Sequence, residues 1–132
     1  MRAIDTNVLV RLITRDEPRQ TAAADNFVAD GAWVSHLVFA ETIWVLESVY
    51  EIKRTGIGLA VELLLAHEQL VIQDADVVSA ALKRFRHKPA IGFSDCLLLE
   101  TAGKTGHLPL GTFDRNLSKG RFGGKIWDTH TP

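Results

Sequence analysis

Four acidic side chains, Asp5, Glu41, Asp95 and Asp114, occupy positions that suit chemistry better than simple solvation. Glu41 has Leu37, Val38, Trp44 and Val45 three and four residues away, so on a helix it is expected on an apolar face. Asp95 meets Leu98, Leu99 and Ala102 in the same way. An unpaired carboxylate in apolar surroundings is strongly unfavourable and either takes up a proton or finds a cation. Asp5 and Asp114 stand out for a different reason. Asp5 closes the strand-like segment Arg2-Ala3-Ile4-Asp5, and Asp114 lies two residues past a strand expected to end near Thr112. In open parallel sheets, ligands bind beyond the carboxyl ends of the strands. Each acid also has a structural alternative. Asp5 could cap the first helix, Asp95 could complement a helix dipole, Asp114 could close an Asx turn, and Glu41 could pair with an arginine at the core edge.

Oxygen-only ligands select Mg²⁺ or Mn²⁺, whereas zinc usually takes imidazole or thiolate. The five histidines, His36, His67, His87, His107 and His130, show no paired ligand spacing, and Cys96 is the single cysteine. Carboxylate-bound Mg²⁺ keeps several waters and is typically completed by substrate phosphate oxygens. Such an ion acidifies and orients a water and stabilises charge on a leaving oxygen. Phosphodiester hydrolysis follows from these parts.

The elements that must position the acids alternate along the chain. A short strand over Arg2–Asp5 leads into a helix over Thr6–Thr14, and Pro18 opens a second helix running to about Asp30. Ala32–Val34 reads as a strand, with Ser35 as N-cap of a helix from His36 to Tyr50. Thr55-Gly56-Ile57-Gly58 is expected to break the chain before a helix over Leu59–Glu68. Leu70–Ile72 reads as a strand, and a helix is expected over Asp76–Arg86. Ser94 is expected to cap a helix over Asp95–Lys104, with last strands at Leu108–Thr112 and Lys125–Trp127. Strands separated by helices imply a parallel sheet covered on both faces, hence an α/β sandwich in one domain spanning residues 1–132. The helix from His36 to Tyr50 is apolar nearly all round, and its surface is expected either in the core or at an interface.

Four blocks, Ile4-Asp5-Thr6-Asn7-Val8-Leu9-Val10-Arg11, Glu41-Thr42-Ile43-Trp44-Val45-Leu46, Gly92-Phe93-Ser94-Asp95-Cys96-Leu97 and Thr112-Phe113-Asp114-Arg115, together resemble a PIN-domain nuclease of the VapC toxin type. The resemblance implies a compact three-layer α/β/α sandwich with a mainly parallel central sheet and Mg²⁺- or Mn²⁺-dependent endoribonuclease activity. It also implies a toxin neutralised by a cognate antitoxin, commonly with toxin dimers in the complex. Carried over by position, Asp5, Glu41 and Asp95 match the acids that bind or organise metal. Asp114 matches a fourth acid that binds a second metal or positions water. Thr6, Asn7 and Thr112 match polar residues lining such pockets, and Asn116 is a supporting amide. Ser94 and Cys96 stand where many relatives carry alanine; both are small, so activity is expected to survive. The expected reaction is in-line attack of water on phosphorus, leaving 5′-phosphate and 3′-hydroxyl ends.

Composition sets outer bounds. Fifteen Lys and Arg against sixteen Asp and Glu give a net charge of -1, so total charge does not advertise a nucleic-acid binder. Basic residues nevertheless recur at Arg11, Arg15 and Arg19, in Lys83-Arg84-Phe85-Arg86-His87-Lys88, and at Arg115, Lys119, Arg121 and Lys125. These could line a phosphate-binding rim or simply be solvated helix faces. No apolar run suggests a membrane span or a signal peptide, and a lone cysteine suits a reducing cytosol. Cys96 itself reads as a small buried apolar residue. Other classes compete. A phosphotransfer receiver domain would want adjacent acids after the first strand, and a phosphatase would favour an acid where Asn7 stands. An interaction module could use the same acids to receive a partner's arginine.

Overall fold

The computed structural model describes residues 1–118, 121–122, 125–126 and 129–132. The chain divides into two compact units, Met1–Ala75 and Asp76–Pro132.

The first unit is built on a parallel sheet. Its strands are β1 (Arg2–Ala3), β2 (Ala32–Val34) and β3 (Leu70–Ile72), in the order β1-β2-β3. Arg2 is opposite Ala32, and Val34 is opposite Ile72. Ala32, Val34, Leu70 and Ile72 are buried on one face, as the period of two requires. The other face is less well covered than a fully enclosed parallel sheet, since Trp33 is 37% exposed and Val71 48%. The helices are α1 (Thr6–Thr14), α2 (Pro18–Val28), α3 (His36–Ser48) and α4 (Arg54–Ala66). Pro18 opens α2, where its missing N–H costs nothing, and the Glu17 carboxylate accepts from the Arg19 and Gln20 N–H groups. Gly31 makes the turn into β2 with φ +94°, a conformation that side chains disfavour.

Ser35 caps α3 as expected, its Oγ accepting from Val38 N at 3.1 Å. Gln73, just past β3, accepts from His36 N at 2.8 Å, so two of the orphan N–H groups of α3 find side-chain partners. Ser35→Ala is expected to destabilise the protein by about 1 kcal/mol. Urea denaturation followed by far-UV circular dichroism checks this as a shifted midpoint with unchanged slope.

Where α4 begins is a correction. Gly56 and Gly58 lie inside the helix, which opens at Arg54. They serve close packing: Gly58 is buried, and a Cβ on Gly56 would lie 2.6 Å from Ile52 Cγ2. Close local packing at Gly56 and burial at Gly58 thus outweigh the helix-breaking tendency of glycine.

The second unit contains α5 (Ala75–His87), which starts at the boundary, and α6 (Phe93–Lys104). It continues with β4 (Leu110–Gly111), α7 (Arg115–Ser118), β5 (Arg121–Phe122), β6 (Lys125–Ile126) and β7 (Thr129–His130). β4 pairs in parallel with β7, and β5 antiparallel with β6. Its core gathers Val78, Ala81, Phe85, Phe93, Cys96 and Leu99. Phe85 and Phe93 meet edge to face, with ring centroids 5.8 Å apart. Cys96 is fully buried, in keeping with its reading as a small apolar residue. Gly92, rather than Ser94, is the N-cap of α6, so Phe93 enters the helix as its first residue. Trp127 and Lys119 lie outside the described residues, as do the side chains of Arg121 and Lys125. The expected α/β class with a central parallel sheet holds.

Candidate active site

Asp5 follows β1 in an extended conformation and turns the chain into α1. Its Oδ1 accepts from Val8 N at 3.1 Å, which makes it the N-cap of that helix. The capping alternative is therefore realised, yet it uses only one carboxylate oxygen of a residue that is itself exposed. Thr6, the next residue, donates from Oγ1 to Glu41 Oε2 at 2.9 Å. That bond ties α1 to α3 and sets Glu41 beside the residue that follows Asp5. Asn7 is exposed, and its amide has no hydrogen-bond partner among the described residues.

The burial expected of Glu41 is not found. Glu41 is exposed, and two of the apolar neighbours that argued for its burial are exposed with it: Leu37 is 76% exposed and Trp44 62%. A helix that is apolar all round offers several faces, and packing takes only one. On α3 that face is Phe39, Thr42, Ile43 and Leu46, the i, i+3, i+4, i+7 stripe. Glu41 lies on its flank, where Thr6 can reach it.

In the second unit, Asp95 occupies the first turn of α6 and is half-buried. Burial pushes its carboxyl above the ordinary carboxylate range, and the nearby charge of Asp114 pushes it further in the same direction. Asp114 is held by a compact local network. Thr112 Oγ1 accepts from Asp114 N at 3.0 Å, and Asp114 Oδ1 accepts from Asn116 N at 2.9 Å and Leu117 N at 3.1 Å. Asn116 thus engages Asp114 through its main chain, not through the expected amide. Thr112 likewise acts on the backbone that carries the acid. Like Asp5, Asp114 spends one oxygen on a helix start and keeps the other.

Each unit therefore supplies a neighbouring set of acids: Asp5 with Glu41 through Thr6, and Asp95 with Asp114. Among the described residues no group of three or more His, Cys, Asp or Glu side chains forms a metal cage. That is no obstacle to Mg²⁺, which is commonly held by one or two carboxylates plus water and substrate phosphate. The donor chemistry suits a hard cation. All four groups offer oxygen, three have a second oxygen outside the hydrogen bonds described above, and a cation would relieve the repulsion felt by Asp95.

Several expected rim cations are already paired. Arg15 bonds Asp25 through both terminal nitrogens, and Arg84 pairs with Glu100. Arg11 is held most firmly. Its Nε donates to Gln20 Oε1 at 2.6 Å, and Nη1 donates to Asp16 at 3.1 Å and to Tyr50 Oη at 3.0 Å. This network, and a cleft between α1 and α2 that reaches Asp5, had no sequence signal, because its members come from three separated segments.

The PIN domain family model matches residues 3–123, a span that covers most of each unit and includes all four acids. The chain belongs to the PIN domain family. No curated protein matches it. PIN domains are typically metal-dependent nucleases, which use divalent ions. No described helix is long and apolar enough to cross a membrane.

Proposed function

We propose that this PIN domain is a Mg²⁺- or Mn²⁺-dependent endoribonuclease whose metal-handling acids are Asp5, Glu41, Asp95 and Asp114. The observation that carries the reading is Asp95, held above the ordinary carboxylate range by burial and by Asp114, in a chain of a nuclease family. A site prepared in this way favours a cation over an isolated pair of anions. The metal, when bound, supplies electrostatic stabilisation and an activated water for phosphodiester hydrolysis. The chain's own residues do the positioning. The α1 and α7 starts fix Asp5 and Asp114 through one oxygen each. Thr6 holds Glu41, and the first turn of α6 carries Asp95. Thr112 steadies the Asp114 backbone.

The biological reading is that of a VapC-type toxin, active in the cytoplasm as a homodimer and neutralised by a cognate antitoxin protein. It is supported by the four sequence blocks and by apolar side chains left in solvent on two helices, Leu37 and Trp44 on α3 and Leu59 and Leu63 on α4. Such surface in so small a domain supports an interface rather than a solvated face.

Purified protein incubated with RNA in Mg²⁺, Mn²⁺ or excess chelator tests the chemistry. Cleavage to 5′-phosphate and 3′-hydroxyl ends is expected with either metal and none with chelator. Persistent cleavage in chelator would remove the metal from the reaction. Binding of a protein partner with no cleavage under any condition would instead favour an interaction module. Induced expression that leaves bacterial growth untouched would refute the toxin role while leaving the nuclease standing.

A further inference from the structure

The cleft between α1 and α2 encloses about 470 Å³ and lies wholly within the first unit. Asp5 lines it, together with Asn7, Val8, Arg11, Gln20 and Phe27. We propose that this cleft is a subsite for one unpaired nucleobase of the RNA, beside the phosphate that is cut. The proposal rests on the nuclease reading above and adds to it a place where sequence is read.

Three observations support it. The first is continuity: Asp5, a proposed metal-handling acid, is also a wall of the cleft, so a nucleotide whose phosphate is held there has its base within reach. The second is chemical character. A base has flat apolar faces and a polar edge. The cleft offers an aliphatic and aromatic wall from Val8 and Phe27, and two amides, Asn7 and Gln20, which can donate and accept. Its volume falls in the range of small-ligand sites.

The third is preorganisation. Arg11 is fixed by Gln20, Asp16 and Tyr50, and Asp16 is itself held by Thr14 at 2.8 Å and by Tyr50 at 3.0 Å. These bonds leave Arg11 Nη2, the Gln20 amide nitrogen and the whole Asn7 amide without protein partners among the described residues. Of these, Arg11 and Gln20 are fixed by their mutual bond, so their remaining donors lose little entropy on binding. Arg2 stacks 3.7 Å over the Phe27 ring and donates to Phe27 O at 3.2 Å, which holds that wall in place. The charge of Arg11 is already met by Asp16, so the cleft is a poor phosphate site and a better one for a neutral base.

Filling the cleft tests this. Ala23 lines it from the exposed side of α2, so Ala23→Leu narrows it without entering the core. Two readouts are needed: sequencing of cut sites in a randomised RNA pool, and metal-free binding of the four nucleoside 5′-monophosphates followed by NMR. The wild type is expected to bind at least one nucleotide and to prefer certain bases at one position beside the cut. Ala23→Leu is expected to weaken that binding by about tenfold and to flatten that preference. Gln20→Ala, an exposed helical change, is a second variant, expected to shift the preferred base. If both variants keep the wild-type cut profile and nucleotide binding, the subsite is overturned. Loss of protein-partner binding with both readouts unchanged would overturn it in favour of a peptide site. A wild type that cuts no RNA yet binds nucleotides in this cleft refutes the nuclease reading separately.

Discussion

Asp95→Asn is expected to lower metal-dependent RNA cleavage by at least about a hundredfold, since loss of groups that merely orient a metal ligand already costs about ten- to a hundredfold. The change keeps the shape of the side chain and removes its charge, so lost activity reports on chemistry rather than on folding. Stability supplies the control. The Asp95 carboxyl binds its proton more tightly in the folded chain than in the unfolded one, because of burial and then Asp114. Ionisation therefore works against the folded state, and its stability falls as pH rises from the ordinary carboxylate range through the raised value. Asparagine never ionises, so the variant is expected to melt at neutral pH no lower than wild type and to lose that pH dependence. Cleavage assays on RNA with Mg²⁺, together with thermal melts across acidic and neutral pH, check both halves. Wild-type cleavage would remove Asp95 from the mechanism. A melting temperature well below wild type would show that Asp95 holds the fold together.

Phe85→Ala is expected to cost about 3–5 kcal/mol, the range for truncating a fully buried aromatic side chain. Phe85 is 1% exposed and its edge-to-face partner, Phe93, is equally buried. Truncation removes the transfer free energy, opens a cavity in the second unit and forfeits the ring contact. The effect extends to the candidate site, because Phe93 is the first residue of α6 and Asp95 stands two residues further along. Phe85 from α5 holds that first turn. Activity measured well below the melting temperature should therefore also fall, whereas Phe85→Leu, which refills most of the volume, should recover much of both. Chemical denaturation and RNA cleavage on the three proteins check this. Full activity in a strongly destabilised Phe85→Ala would show that the Phe85–Phe93 contact does not position Asp95.

Local signals in the chain suffice where one residue's chemistry determines its conformation. Ser35 caps α3 because a hydroxyl can reach Val38 N there, and Pro18 opens α2 because its fixed φ suits a first turn. The short apolar runs Ala32–Val34 and Leu70–Ile72 read as strands, and both form strands with the same bounds. The same local logic failed where two rules competed. Gly56 and Gly58 look like breakers in sequence, but close packing uses them inside α4. Ser94 is a good cap by type, yet Phe93 is drawn into the helix ahead of it, buried against Phe85.

Residue type and spacing by themselves singled out four carboxylates and no histidine or cysteine set, the basis for proposing a hard cation and phosphate. They also determined the α/β class, because the periods of strand and helix are local properties. Only tertiary structure decided which face of α3 is buried, and with it that Glu41 is an exposed residue held by Thr6 rather than a buried acid. It likewise decided that Asp5 and Asp114, both exposed, each commit one oxygen to a helix start. The Arg11, Asp16, Gln20 and Tyr50 network has no signature in the sequence for the same reason. A side chain's partner across the fold depends on packing among distant segments, and nothing local in sequence encodes that choice.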